Sequence, residues 1–134
     1  MKACTFFGHR DTNKKIEPAL VSALVDLIEN KNVDTFYVGN HGNFDDMVKK
    51  VLGELKNKYS HINYFIVCSR LVPKKDDEFF NFIYPLCAIG YIPKRNEWMI
   101  KRSDYVITYV RTGYGGAARF KRYSKRAGKI VIDL

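Results

Sequence analysis

Residues 34–55 read DTFYVGNHGNFDDMVKKVLGEL, and the order of residue types in this stretch decides the fold class. A short β-prone run, DTFYV, stops at Gly39, Asn40, His41 and Gly42, residues that favour a turn. Beyond the turn, Phe44, Met47, Val48, Val51, Leu52 and Leu55 recur at the i, i+3, i+4 spacing of an amphipathic helix. Asn43 stands where it can cap that helix. Strand, turn and helix in this order make the first part of a β-α-β unit.

The pattern continues in both directions. Toward the N terminus, residues 2–7 (KACTFF) predict a strand that ends at Gly8, His9, Arg10 and Asp11. Residues 16–30 carry Ile16, Leu20, Leu24, Leu27 and Ile28 at helical spacing, with Pro18 in the first turn, where its missing N–H costs nothing. Toward the C terminus, the sequence predicts a strand over 62–67, a short helix over 95–102, a strand over 105–110, a helix over 116–127 and a strand over 129–133. Gly128 falls where a helix C-terminal glycine belongs. Between Ser69 and Pro93 a charged patch (KKDDE) precedes an aromatic run without a clean period, which reads as a loop plus an irregular helix. Strands alternating with helices imply parallel β-α-β units joined by right-handed crossovers. The expectation is an α/β, Rossmann-like three-layer sandwich with a parallel five-stranded sheet in the order 3-2-1-4-5, spanning residues 1–134 as a single domain.

Bulk properties agree with that reading. A chain of 134 residues that is 46% hydrophobic and 28% charged, with nine Phe and nine Tyr, has enough apolar surface for one core and argues against disorder. Cys4, Cys68 and Cys87 show no CxxC spacing, and their odd number suits reduced thiols rather than a disulfide framework or a zinc site. No apolar stretch approaches the roughly 20 residues that a bilayer requires, so the expectation is a cytoplasmic protein without membrane contact. The net charge of +9 is concentrated from Lys94 onward. Such a field attracts polyanions, but solvated helix faces account for it equally well, and nucleic acid is the less favoured partner.

Glycine-rich and polar segments directly follow three strands: GHRD after the first, GNHGNF after the second, and RTGYGGA after the fourth. In a parallel sheet these positions share the carboxyl edge, where ligands bind at the point of strand-order reversal. Thr112, Gly113, Tyr114, Gly115, Gly116 and Ala117 open the last helix, a place that suits phosphate. No GKS or GKT follows, and GxGxxG is absent from the first turn, so the loop supports neither ATP hydrolysis nor dinucleotide fingerprinting. Arg10, Arg95 and Arg111 are candidate phosphate partners, since a guanidinium offers paired donors to an oxyanion. His9 and His41 end adjacent turns and are candidates to hydrogen-bond a base or ribose. Asp45 and Asp46 begin a helix, where the helix dipole favours carboxylates without any ligand. Trp98 and Met99 are expected in the core.

The succession of Arg95, Asn96 and Met99, then Asp104, then the fourth strand leading into Gly113-Tyr114-Gly115, resembles the RKxxM, aspartate, PGGxGTxxE pattern of LOG proteins. Those proteins stand with the DNA-processing protein DprA in the SLOG superfamily. The opening GHR and the closing GGA, followed by AGKIVIDL, are similar to the YpsA-like branch of small bacterial SLOG proteins. The resemblance implies a Rossmann-like fold whose pocket accepts nucleotides or nucleotide-derived molecules. Together with the placement of the loops, it gives Gly8, His9, Arg10, Gly39, Asn40, Gly42, Arg95, Asn96 and residues 112–116 as the expected ligand contacts, with no metal and no required cofactor. LOG enzymes cleave the N-glycosidic bond of nucleoside monophosphates with an arginine and a glutamate. Arg95 takes the arginine's place as a catalytic candidate, but the last helix begins Ala117, Ala118, Arg119, without the glutamate. Asp11 or Asp45 would have to supply a carboxylate from another loop. Three readings follow: binding or sensing of a nucleotide, N-glycosidic hydrolysis, and DprA-like binding of single-stranded nucleic acid. A homodimer is expected to use part of the aromatic stretch from Phe79 to Tyr91.

Overall fold

The structure, a computed structural model, describes residues 1–70 and 81–134. Six parallel strands form one sheet: β1 (Lys2–Gly8), β2 (Val33–Val38), β3 (Asn63–Val67), β4 (Asn81–Ile83), β5 (Tyr105–Tyr109) and β6 (Ile130–Asp133). Their spatial order is β4-β3-β2-β1-β5-β6. The helices are α1 (Glu17–Asn30), α2 (Asn43–Lys58), α3 (Ile92–Lys101) and α4 (Gly116–Arg126). This is an α/β architecture consistent with a Rossmann-like fold.

The expected count of five strands is corrected to six, and the order changes by the added edge strand. Residues 81–83, expected in a loop plus irregular helix, pair with β3 in the register Phe65↔Asn81, Ile66↔Phe82, Val67↔Ile83. The Cys68 N–H extends the pairing by donating to the Ile83 carbonyl at 2.9 Å. Among the described residues of that stretch, one 3-10 turn, Leu86–Ala88, precedes α3, which begins three residues earlier than expected because Pro93 fits the first helical turn. The KKDDE patch, Phe79 and Phe80 lie outside the described residues. Leu86, Ile89 and Tyr91, which follow them, are exposed.

Alternation along the strands builds two cores. Cys4 and Phe6 of β1, with Phe36 and Val38 of β2, face α1 and α2, meeting Leu20, Leu24, Val48 and Leu52. Ala3 and Phe7, with Tyr37 and Val67, face the other way onto Met99, Ile100 and Phe120 of α3 and α4. Phe7 stacks on Phe120 with ring centroids 5.6 Å apart. Met99 is in this core as expected, while Trp98 is half-buried, edge-on to Tyr37 and covered by the Arg102 guanidinium. Thr5 is the polar exception in β1, and its hydroxyl is satisfied by donating to the Tyr37 carbonyl at 2.8 Å. Among the described residues, no helix is long and apolar enough to cross a membrane. All three cysteines are free, with Cys4 and Cys68 buried and Cys87 exposed.

The sheet has its reversal of strand order at β1 and β5, whose carboxyl ends, Gly8 and Tyr109, are register partners. The turns that leave β1, β2 and β5 therefore emerge side by side.

Candidate functional site

The first turn is shaped by what β1 lacks. A Cβ at Gly8 would overlap the Phe44 ring, so the end of β1 and the first turn of α2 touch with nothing between them. The chain then doubles back, with the Thr12 N–H and hydroxyl both donating to the His9 carbonyl at 3.2 and 2.6 Å. His9 reaches across to the loop after β5: its Nε2 accepts the Arg111 N–H at 2.8 Å, which leaves the ring proton on Nδ1. Its edge also meets the Tyr109 ring. The GHR turn and the glycine loop thus face one another, joined through a histidine.

On the α2 and α3 side of His9 lies a cavity of about 300 Å³. Gly8, His9 and Arg10 line it from the first turn, and Gly39 and His41 from the second. Arg95 and Asn96 face it from α3, and Gly116 and Ala117 from the start of α4. Asp45, from the first turn of α2, completes it together with the apolar side chains of Ile92 and Met99. Gly39 lets the chain pass close to both charges: a Cβ would come within 2.7 Å of Asp45 Oδ2 and 3.1 Å of the Arg95 guanidinium, so one of them would have to shift. The start of α4 has Gly115 as its N-cap and no side-chain cap, so the first-turn N–H groups of the helix open toward this side.

The electrostatics centre on a buried guanidinium. Arg95 is 6% exposed, and its Nε and Nη2 both donate to Asn96 Oδ1, at 3.1 and 2.9 Å. An amide oxygen orients the fork without neutralising it. Burial lowers the Arg95 pKa from its ordinary value, against the pull of Asp45 and Cys68. Asp45 is also buried, and one carboxylate oxygen accepts the His41 N–H at 3.0 Å. Burial pushes its carboxyl up to about 6, because removal from water outweighs Arg95, the His41 hydrogen bond and Lys49. Asp46, its neighbour, instead pairs with Lys49 at 3.2 Å on the surface. Burial and the nearby Arg10, Arg95 and Arg70 hold the His41 pKa below the usual imidazole value.

The chain matches no protein-family model and no curated protein.

The remaining expected contacts separate from the main cavity. Asn40 lines an adjoining cavity of about 230 Å³ and accepts from Lys49 Nζ at 2.9 Å. Gly42 is the N-cap of α2, so the expected cap at Asn43 is corrected: Asn43 is the first helical residue and donates its N–H to the Arg10 carbonyl at 2.8 Å. A Cβ on Gly42 would lie 2.8 Å from Arg10 Cα, and the position serves packing. Thr112, Tyr114 and Gly115 line a third, more open cleft of about 460 Å³ on the far side of His9, with Asp11 and Tyr109. Gly113 borders none of these three cavities, and its carbonyl accepts from Arg122 at 3.1 Å. Arg111 is held away from the main cavity by Asp133 at 3.3 Å, the Leu134 carbonyl and the Tyr109 ring.

Ile92 and Arg70 border the cavities without having been singled out from the sequence. For Asp45 a signal existed. It lies three residues before Val48 and seven before Leu52, on the buried stripe of α2, where a carboxylate has no solvent to face. Among the described residues, no cluster of three or more His, Cys, Asp or Glu side chains is placed to hold a metal ion.

Proposed function

We propose that this chain binds a nucleotide or nucleotide-derived small molecule at the carboxyl edge of its sheet, with an anionic group in the main cavity between Arg95 and the start of α4, and that its likeness to the SLOG superfamily reflects this ligand class. The observation that carries the reading is Arg95: a guanidinium 6% exposed, oriented by a neutral amide, on a cavity that also receives an uncapped helix start. A buried charge of this kind is costly unless an opposite charge meets it, and a phosphate accepts both guanidinium and backbone N–H donors. Gly116 and Ala117 place the helix end on that cavity, and Arg10 adds a second guanidinium at its mouth. Asn96 and His41 are then available to polar groups of a ribose or base.

A thermal-shift series with nucleoside monophosphates, nicotinamide dinucleotides and ADP-ribose derivatives tests it, since a ligand that binds only the native state raises apparent stability. At least one nucleotide should raise the melting temperature, and Arg95→Ala should abolish the shift. The reading fails if no member of the series stabilises the protein.

One observation favours a second reading, hydrolysis of a nucleotide N-glycosidic bond. Asp45, with a carboxyl near 6, lies on the same cavity as Arg95, and a group with that pKa serves as a proton donor close to neutrality. Release of free base from nucleoside monophosphates, lost in Asp45→Asn, would establish it.

A further inference from the structure

The cavity beside the main one has no role in the reading above. It is lined by Asn40 and His41 from the turn after β2, by Cys68, Ser69 and Arg70 after β3, and by Gly90, Ile92 and Arg95 around the start of α3. Arg95, His41 and Ile92 border both cavities, so they form a partition with space on each side. The Arg95 fork spends Nε and Nη2 on Asn96. Its Nη1 makes no hydrogen bond among the described residues.

The charges around the partition are unequal. Arg10 stands on the main-cavity side and Arg70 on the other, with Arg95 between them. Among the described residues neither Arg10 nor Arg70 forms an ion pair, while Asp46 and Lys49 neutralise each other and leave Asp45 as the acidic counterpart. Burial first, and then the three guanidiniums acting together, reduce the tendency of His41 to take a proton. A single phosphoryl group between Arg95 and α4 would answer only part of this charge.

We propose that the second cavity is an anion subsite in which Arg70, His41 and Arg95 receive a second phosphoryl group, so that the preferred ligand carries a diphosphate that straddles Arg95. This rests on the nucleotide reading of the main cavity and narrows it to the class of diphosphate-bearing nucleotides. A guanidinium carries five N–H donors, so after Nε and Nη2 engage Asn96 the Arg95 Nη1 remains to donate to a phosphoryl oxygen.

Inorganic phosphate and inorganic pyrophosphate separate the subsite from the choice of base. Titration calorimetry of the whole protein at low ionic strength should show pyrophosphate binding at least about tenfold more tightly than phosphate, as expected for added charge-assisted hydrogen bonds. Arg70→Ala, on an exposed residue, should erase that advantage and leave phosphate affinity within about twofold. Lys31→Ala, an equal loss of charge at the opposite edge of the sheet, should change neither. Arg95→Ala should weaken both anions. Equal weakening of both anions by Arg70→Ala, or an unchanged preference for pyrophosphate, would overturn the second subsite while leaving the single-phosphate reading intact. Failure of the wild-type protein to bind either anion would remove both.

Discussion

Helices α2 and α4 begin with the same backbone device and use it differently. Each has a glycine N-cap, Gly42 at φ 93°, ψ 176° and Gly115 at φ 94°, ψ 174°, and neither has a side-chain cap. This region of backbone space is essentially closed to other residues. At Gly42 the conformation brings the chain against Arg10, and the first turn of α2 is packed, with Phe44 and Asp45 buried. At Gly115 a Cβ would meet nothing within 4 Å, and Tyr114 beside it is 77% exposed. One helix start is mortared into the molecule and the other is left open, which is the condition for a ligand to reach its N–H groups. Burial, and not local conformation, distinguishes a structural turn from an accessible one.

Substitutions can break or sharpen that contrast. The largest effect is expected at Gly42→Ala, where strain of about 1–3 kcal/mol adds to a clash with backbone that cannot swing aside, for a total of roughly 3 kcal/mol or more in urea unfolding. A loss below about 1 kcal/mol would show that the packed start yields easily, and the contrast would go.

Next comes Asp45, whose folded-state carboxyl titrates near 6, above its ordinary value. The folded protein therefore holds this proton more tightly than the unfolded chain, so the contribution is fully present below about pH 4 and is lost as pH rises through 6. Relative to Asp45→Asn, wild-type stability should fall by up to about 3 kcal/mol between pH 4 and pH 7. Parallel stability curves for the two proteins over that interval would mean that Asp45 is solvated.

Gly115→Ala should cost only the same conformational strain, about 1–3 kcal/mol, with no steric addition. A loss equal to that of Gly42→Ala would erase the distinction between the two starts. Smallest of all, Tyr114→Ala should leave the melting temperature almost unchanged, within about 0.5 kcal/mol, because its side chain has little to lose.

The elements that were legible from the sequence are those with enough length to display a period. Phe44 through Leu55 carry three turns of an apolar stripe, and α2 forms there; β1, β2 and β5 each end at the turn residues that marked them. Strand β4 was illegible because three residues cannot show an alternation, and what makes Asn81–Ile83 a strand is pairing to Phe65, Ile66 and Val67. Asn43 looked like a cap because its side chain suits that role, but Gly42 took it, since only glycine holds the required backbone angle.

The candidate site was legible to the extent that position after a strand determines the sheet edge. That rule brings Gly8, His9, Arg10, Gly39 and Gly116 to one cavity, where Arg95 and Asn96, singled out by the family resemblance, join them from α3. It does not separate them from Thr112, Tyr114 and Gly115, because the divider is the His9 imidazole, whose partner Arg111 is 102 residues away in the chain. Nor does spacing show that Arg111 is spoken for by Asp133, or that Arg70 comes beside Arg95. Those are consequences of side chains meeting across the sheet.

Strand β1 sits inside the sheet, yet its two neighbours are made at very different times. One of them, β2, follows after α1, whereas β5 begins only at Tyr105. While a ribosome extends the chain, the flank of β1 that will receive β5 has no partner until Tyr105 and the residues after it have been made, and Cys4 and Phe6 wait on a raw hydrogen-bonding border. A nascent chain stalled before that point presents a template for pairing with a stray strand. Any intermediate that lacks β5 therefore leaves open an edge that the finished sheet covers.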